Sequence, residues 1–216
     1  MVFLEALFCT LIVYAHEGRD METFDIPGAY THADMQKDKR ILMNLRGDFI
    51  YITCQVNPDY EQHMRCENGK KVLYILVLRE IYGCIKSVLL WFKILSTTLE
   101  GLVFEINSYD RCVANKVIEV TKCTIDWYVD DNNLSHKNTE VISDIINEVK
   151  KYFGEISVVR GNRHNFLGMN IEIKDSTIQV DMVKQLEDCI SIFGDEVSML
   201  VTSPTTNKLF ELREDS

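Results

Sequence analysis

The 216-residue chain is 46% apolar and 26% charged, with 10 Gly and only 3 Pro, which excludes a disordered, collagen-like or proline-rich protein. A net charge of −10 argues against a surface that grips nucleic acid by charge throughout. Residues 32–93 alone carry a positive sum, +3, so any polyanion contact is expected to start there.

In chain order, the first segment has apolar residues at positions 3, 4, 7, 8, 11 and 12, which predicts a helix packed on a core. It lacks a positively charged start, Glu5 interrupts it, and it is shorter than the ~20 residues of a membrane span, so neither a signal peptide nor a membrane anchor is expected. Thr23–Ile26 reads as a short strand ended by the Pro27-Gly28 turn. Residues 41–45 and 49–53 read as paired strands around Gly47-Asp48, 57–71 as a long polar loop, and 72–78 as a buried strand. Ser87 opens a predicted helix to Glu100, with Gly101 as its stop. Strands are predicted at about 112–119 and 122–129, and Asn132-Asn133 can form a turn. Asn138 caps a helix over 139–153, with Lys150 and Lys151 in its last turn and Gly154 beyond it. Strands at about 155–160, 165–173 and 177–181 precede a helix over 182–193. The irregular alternation predicts a mixed α+β or split βαβ layout, not a doubly wound sheet.

Seven Cys without a C-x-x-C pair exclude zinc-ribbon spacing, His63 beside Cys66 being the nearest approach to a ligand pair. Free, buried thiols in a reducing compartment are expected.

The feature that carries chemistry is Tyr128-Val129-Asp130-Asp131. Strand alternation puts Ile125, Trp127 and Val129 on one face and Asp126, Tyr128 and Asp130 on the other. Adjacent acids repel, so this is either a solvated hairpin tip or a cation site. Hard cations such as Mg²⁺ take oxygen ligands, and two of them can support a phosphoryl transfer if a second acidic strand end is present. Asp25 supplies such an end.

Asp25-Ile26-Pro27-Gly28-Ala29-Tyr30 followed by Tyr128-Val129-Asp130-Asp131 resembles the first and second catalytic motifs of reverse transcriptases, and the copia-type retrotransposon enzymes in particular. Ile81-Tyr82-Gly83-Cys84-Ile85-Lys86 leading to Leu90-Trp91-Phe92-Lys93 is similar to that family's L-Y-G-L-K-Q…W-Y segment. Glu100–Phe104 with Tyr109–Val113, Asn165-Phe166-Leu167-Gly168 and Thr202-Ser203-Pro204 are similar to its later blocks. The resemblance covers roughly residues 3–210, in order.

It implies a polymerase palm, an α+β fold whose mainly antiparallel sheet carries helices on one face, over residues 1–181. A fingers remnant would be inserted at about 32–85, and 182–216 would start a thumb or connection segment. It implies that Asp25, Asp130 and Asp131 hold two Mg²⁺ (or Mn²⁺) ions, with the Ile26 carbonyl as a further ligand. Tyr30 would lie under the sugar of the incoming nucleotide, Lys86 would occupy the family's nucleotide-contacting Gln position, and Tyr128, Phe166, Leu167 and Gly168 would lie at the primer. His164 and Arg163, just before that hairpin, read as solvated. The implied partners are an RNA or DNA template-primer, deoxynucleotides and the remainder of a retrotransposon polyprotein, inside the cell (in cytoplasmic virus-like particles or the nucleus), with no membrane. Lys86 replaces the Gln, Ser87-Val88-Leu89 replaces A-P-R, and only 24 residues precede Asp25. The implied protein is therefore a truncated polymerase copy or, alternatively, a catalytically silent palm remnant that persists as a folded or interaction module.

Overall fold

The computed structural model describes residues 2–35, 41–84, 86–174 and 177–193. In chain order these form α1 (Leu4–Glu17), β1 (Asp20–Asp25), a 3-10 turn (Ala29–His32), β2 (Ile41–Arg46), α2 (Asp48–Val56), a second 3-10 turn (Pro58–His63), β3 (Arg65–Glu67), β4 (Lys70–Val77) and α3 (Ser87–Gly101). Then come β5 (Glu105–Ile106), β6 (Val113–Ile118), β7 (Thr121–Tyr128), β8 (Asp131–His136), α4 (Thr139–Phe153), β9 (Ser157–Val159), β10 (Arg163–Phe166), β11 (Met169–Lys174), β12 (Thr177–Asp181) and α5 (Val183–Phe193). The architecture is mixed α/β with antiparallel sheets. The chain divides into two units after Val180. The second contains α5, whose first turn is fixed by the Asp181 carboxylate accepting from the Val183 amide. Thr202-Ser203-Pro204 lies outside the described residues.

The first unit is built on a six-stranded antiparallel sheet in the order β5-β6-β7-β8-β1-β9. Its two faces are covered differently. Trp127, Leu134 and Phe24 face α3 and α4, where Phe92 stacks on Trp127 and Trp91 meets Phe153 edge-on at 5.2 Å between centroids. On the other face α1 lies over Thr124 and Asp126, with the Thr10 hydroxyl on Asp126 and the buried Arg19 guanidinium on Thr124. The β10–β11 hairpin covers the same face, with the Thr23 hydroxyl on the His164 ring. Helices thus occupy both faces, which corrects the expected one-sided arrangement. The cause is α1: buried Leu7, Leu11 and Tyr14 form one stripe, and the Val2 amide fixes its start by donating to the Trp127 carbonyl.

A smaller sheet, β2-β4-β3, packs α2 against it through Ile50, Cys54 and Leu73. Residues 49–53 are therefore helical, not the second strand of a hairpin. Phe49-Ile50-Tyr51-Ile52-Thr53 is rich in strand-formers, but Ile50 and Cys54 stand at i and i+4, and burying that pair on Leu73 overrides local propensity. Gly47, at φ 58 and ψ −137, makes the corner between β2 and α2.

Three further expectations change. Asn132 and Asn133 are not a turn but buried residues of β8, and the turn falls three residues earlier, at Val129-Asp130. Residues 165–173 are not one strand, as their pattern alone suggests, but two strands folded at Leu167-Gly168, the hairpin that the family resemblance implies. The Ser87 hydroxyl does not cap α3 but donates to the Glu80 carboxylate at 2.7 Å and the Ile81 carbonyl at 2.9 Å. By contrast, Asn138 caps α4 as expected, its side chain accepting from the Glu140 amide, and Gly154 follows the last turn. None of the seven cysteines forms a disulfide. Cys54, Cys112 and Cys123 are buried, but Cys9, Cys66 and Cys189 are exposed, so burial holds for only part of the set. Among the described residues no helix is long and apolar enough to cross a membrane.

Candidate functional site

The strand register brings the acids together. Asp131 pairs with Asp25 on one side and with Tyr128 on the other, so all three side chains stand on one face in one row. Directly opposed residues of an antiparallel pair have Cβ atoms ~4.5–5.5 Å apart. Asp130 is the second residue of the two-residue tip between β7 and β8. Burial, and then the charge of Asp130, raise the Asp25 carboxyl above its usual range. Asp131 is raised by burial first, then by Asp130 and Asp25. Asp25 therefore feels the charge of Asp130 and Asp131 feels both others, and among the described residues none of the three acids has an ion pair.

The tip is held from three directions. The Ile26 amide donates to the Asp130 carbonyl at 3.1 Å, and the Asn132 side-chain amide donates to the same oxygen at 2.6 Å. The Trp91 indole donates to the Val129 carbonyl at 2.6 Å. Val129 itself sits at φ 57, a left-handed conformation that a β-branched residue adopts only when its surroundings impose it. A two-residue hairpin loop ordinarily uses glycine or asparagine at such a position. Ile26 thus enters the site through its amide, with its side chain wholly buried.

After Asp25 the chain turns at Pro27-Gly28 into the 3-10 turn, and Gly28 at φ 65 has no room for a Cβ, which would meet the Thr31 hydroxyl at 2.9 Å. This reversal returns Tyr30 to the acids. Its ring is 7% exposed and lies 4.5 Å, centroid to centroid, from the Tyr82 ring. Burial, with the charge of Asp130 second, raises the Tyr30 phenol above its usual range. Tyr82 donates its hydroxyl to Asp130 Oδ2 at 2.9 Å. Burial, followed by that bond and the Asp130 charge, pushes the Tyr82 phenol up to about 12. Lys86 is exposed at the start of α3.

The β10–β11 hairpin is brought to the same face, since Thr23 precedes Asp25 by two residues and bonds His164. His164 Nε2 donates to the Gly161 carbonyl at 2.7 Å, which leaves Nδ1 to accept from the Thr23 hydroxyl at 3.1 Å. His164 is buried, not solvated as the sequence suggests, and burial lowers its pKa. Phe166 is 1% exposed and packs into the main core, so its side chain is spent on folding, and only the half-buried Leu167-Gly168 tip remains for contact. Arg163 is exposed and pairs with Glu172.

Tyr82, Trp91, Asn132 and His164 had no role in the sequence reading of the site. Tyr82 and Trp91 lie within a recognisable block, but their contacts cross 48 and 38 residues. No spacing rule reaches that far.

Two expectations follow from these electrostatics. A carboxyl with a raised folded-state pKa stabilises the fold when protonated and loses that contribution as pH rises through it. Asp25→Asn is therefore expected to fold normally and melt ~1–2 °C higher than the parent at pH 7, a gain kept small by solvent screening and vanishing at pH 4. A lower melting temperature at pH 7 would mean that Asp25 serves the fold as a satisfied acceptor. His164 has the opposite sign. Its pKa is lowered from 6.5, so its contribution is present at pH 7 and lost as pH falls through that value. His164→Phe should cost ~1–2 kcal/mol at pH 7.5 and flatten the acid limb of a urea-midpoint-versus-pH curve.

No protein-family model matches the chain, and no curated protein matches it. Solved structures similar to it include the apo telomerase of Candida tropicalis truncated from the C-terminal domain, at 11% identity and TM-score 0.45, covering 84% of this chain and 40% of that one. The foamy viral protease-reverse transcriptase dRH in complex with double-stranded DNA is similar at 17% identity and TM-score 0.44, over 88% of this chain and 25% of that one. The telomerase of Candida albicans with a TWJ fragment of telomeric RNA is similar at 11% identity and TM-score 0.44, over 89% and 39%. The chain thus spans two-fifths or less of the length of these proteins.

Proposed function

We propose that the chain is the palm portion of a copia-type reverse transcriptase, whose acidic site serves nucleotidyl transfer onto a primer. The observation that carries this reading is the convergence of Asp25, Asp130 and Asp131 on one sheet end, across 105 residues of chain, inside the blocks that resemble that family. In such a transfer the primer 3′-oxygen bonds the α-phosphorus of a deoxynucleotide, the bond to pyrophosphate breaks, and the hydroxyl proton leaves to solvent. A pair of divalent cations would neutralise the phosphates and the attacking oxygen.

The donor chemistry suits Mg²⁺ or Mn²⁺: three carboxylates, no ion pair to them among the described residues, and mutual repulsion that a cation would relieve. Among the described residues no group of three or more His, Cys, Asp and Glu side chains is drawn close enough to hold an ion, and one Asp130 oxygen is occupied by Tyr82. Asp25 and Asp130 would be the principal ligands, with Asp131 beside them. Tyr30, anchored by the Pro27-Gly28 reversal, would form the floor under the sugar and exclude a 2′-hydroxyl. Leu167-Gly168 would approach the primer, with Tyr128 beside its terminus, and Lys86 would meet a phosphate. The partners in this reading are an RNA or DNA template-primer, deoxynucleotides and the rest of an intracellular retrotransposon polyprotein.

The test is primer extension on an RNA template at low salt with Mg²⁺ or Mn²⁺, for the chain alone and for the chain fused to a copia-type fingers segment. The chain alone should be inactive, because its charge of −10 leaves few phosphate contacts. The fusion should extend the primer, and Asp130→Asn in the fusion should abolish extension. A fusion that stays as inactive as its Asp130→Asn control would favour the silent-remnant reading, which Lys86 at the Gln position supports.

A further inference from the structure

Away from the acids, α1 leaves one corner of its sheet face uncovered. The helix lies over Thr124 and Asp126, and the β5–β6 end of the same face opens as a cleft of about 200 Å³. Cys9 and Val13 of α1 form one wall, and Asn107, Asn115, Lys122 and Thr124 lie along the other side. The antiparallel register sets Asn115 directly opposite Thr124, with Lys122 two residues along β7 on the same face. Hydrogen bonding then decides which of their atoms remain available. An arginine only donates: Thr124 Oγ1 accepts from Arg19 Nη1 at 2.9 Å and spends its own proton on Asn115 Oδ1 at 2.9 Å. The Asn115 oxygen is thereby engaged, while its amino group has no acceptor among the described residues. Asn107 repeats the pattern, its oxygen accepting from the Tyr109 and Asp110 amides and its amino group left over. Lys122 is exposed and has no ion pair among the described residues. No carboxylate lines the cleft. Glu17 is paired with Arg19, Asp126 is sealed beneath α1, and Glu105, opposite Asn115 on β5, is exposed outside the lining.

We infer that this cleft binds the phosphate group of a small molecule, at a site separate from the acids. What its polar side chains have left to offer is donors: two side-chain amino groups and one ammonium, from β6, from β7 and from the residue after β5. Three donors suit the three terminal oxygens of a phosphate or phosphomonoester better than the two oxygens of a planar carboxylate. Lys122 supplies the charge, and the two neutral amides add direction without placing further cations side by side. Val13 and Val113 give the cleft an apolar side, against which the organic group of a monoester would pack. A cleft of this size admits a small molecule and not a duplex. Lys122 stands six residues before Tyr128, ~20 Å along β7, so the two sites share no residue. Because one wall belongs to α1 and the donors belong to the sheet, an occupied cleft would brace the helix on the sheet and stabilise the folded chain by mass action.

The experiment titrates the full chain calorimetrically with inorganic phosphate, phenyl phosphate and benzoate, and locates the binding by the rate at which iodoacetamide alkylates Cys9. Cys9 is exposed at the wall of the cleft, and the exposed Cys66 and Cys189, which do not line it, are internal references read by peptide mass spectrometry. Phenyl phosphate should bind and slow the alkylation of Cys9 several-fold, with the two references unchanged. Tighter binding of phenyl phosphate than of inorganic phosphate supports the site and assigns it a monoester; equal binding supports it and assigns it free phosphate. Lys122→Gln, at an exposed position, should fold as the parent does and bind roughly tenfold more weakly, the size of one charge-assisted hydrogen bond. Asn115→Asp keeps an acceptor for Thr124, replaces the spare donor with a negative charge, and should abolish binding, with melting curves confirming that it is folded. The inference is overturned if neither phosphate binds, if benzoate binds as tightly as phenyl phosphate, or if phenyl phosphate binds without protecting Cys9. Affinity unchanged by Lys122→Gln and by a folded Asn115→Asp would overturn it equally.

Discussion

Asp126→Asn is expected to stabilise the protein at pH 8.5 and to lose that advantage progressively toward pH 4. Asp126 is fully buried in β7 beneath α1, where Asn133 Nδ2 donates to both carboxylate oxygens at 2.8 and 3.1 Å and Thr10 stands at 3.5 Å. Among the described residues no ion pair balances it, and Arg19 is engaged with Glu17 and Thr124. Burial therefore pushes its pKa up to about 8 from 3.8. The fold then takes up a proton that the unfolded chain releases. The contribution of this group is complete below pH 3.8, declines as pH rises, and levels off above about 8. At ~1.4 kcal/mol per unit the ceiling is ~6 kcal/mol, and relaxation around the carboxylate should leave ~2–4 kcal/mol. Asparagine has the same shape and never ionises. Urea unfolding of both proteins between pH 4 and 9 reads the difference directly. A variant less stable than the parent at every pH would show that the buried carboxylate is an ionised, fully satisfied acceptor.

Trp91→Ala is expected to cost ~3–5 kcal/mol, or about 10 °C in melting temperature for a chain of this size. The indole fills the space between α3, α4 and the sheet, against Phe153, and it is also the donor to the Val129 carbonyl. Trp91→Phe separates the two roles. It keeps most of the packing and removes the donor, so its cost should be ~1–2 kcal/mol. In addition it should release the Val129 strain. Val129→Gly, which removes the conformational penalty directly, is then expected to cost more in the Trp91→Phe background than in the parent, because no strain is left there for it to relieve. Simple additivity of the two substitutions in thermal melts would show that the indole does not hold the tip.

The parts of this molecule that could be read from its sequence are those whose cause is local. α4 follows from a 3.6-residue apolar period bounded by Asn138 and Gly154, both acting within a turn of their own position. The grouping of Asp25 with Asp130 and Asp131 was legible through the family resemblance, since no periodicity links residues 105 apart. α2 was not legible, because its helical state depends on Leu73 of another strand. β8 was hidden for a different reason. Asp131-Asn132-Asn133-Leu134-Ser135-His136 has the composition of a loop, yet from Asn132 onward it is buried at the centre of the sheet. Its Asn133 is held by Asp126, and its Asn132 by the Phe24 and Asp130 carbonyls, so hydrogen bonds take the place of apolar burial. A polar strand of that kind carries no alternation to detect. Phe166 failed in the other direction: its type and motif suggested contact, whereas tertiary packing claimed it.

The register that joins β1 to β8 also sets a schedule for synthesis. β1 leaves the ribosome about a hundred residues ahead of β8, a delay of roughly 5–20 s at ordinary elongation rates, and β9 follows later still. Through that interval both hydrogen-bonding edges of β1 are bare. α1 can do nothing to shield them, because the start of its own helix is fastened by the Trp127 carbonyl and the Asp110 carboxylate, which also have yet to be made. Leu7, Leu11 and Tyr14 consequently stay in water beside an unpaired strand. The α1–β1 segment thus stays prone to aggregation until translation passes residue 136, and ribosomes stalled before that point should yield aggregates, not a folded intermediate.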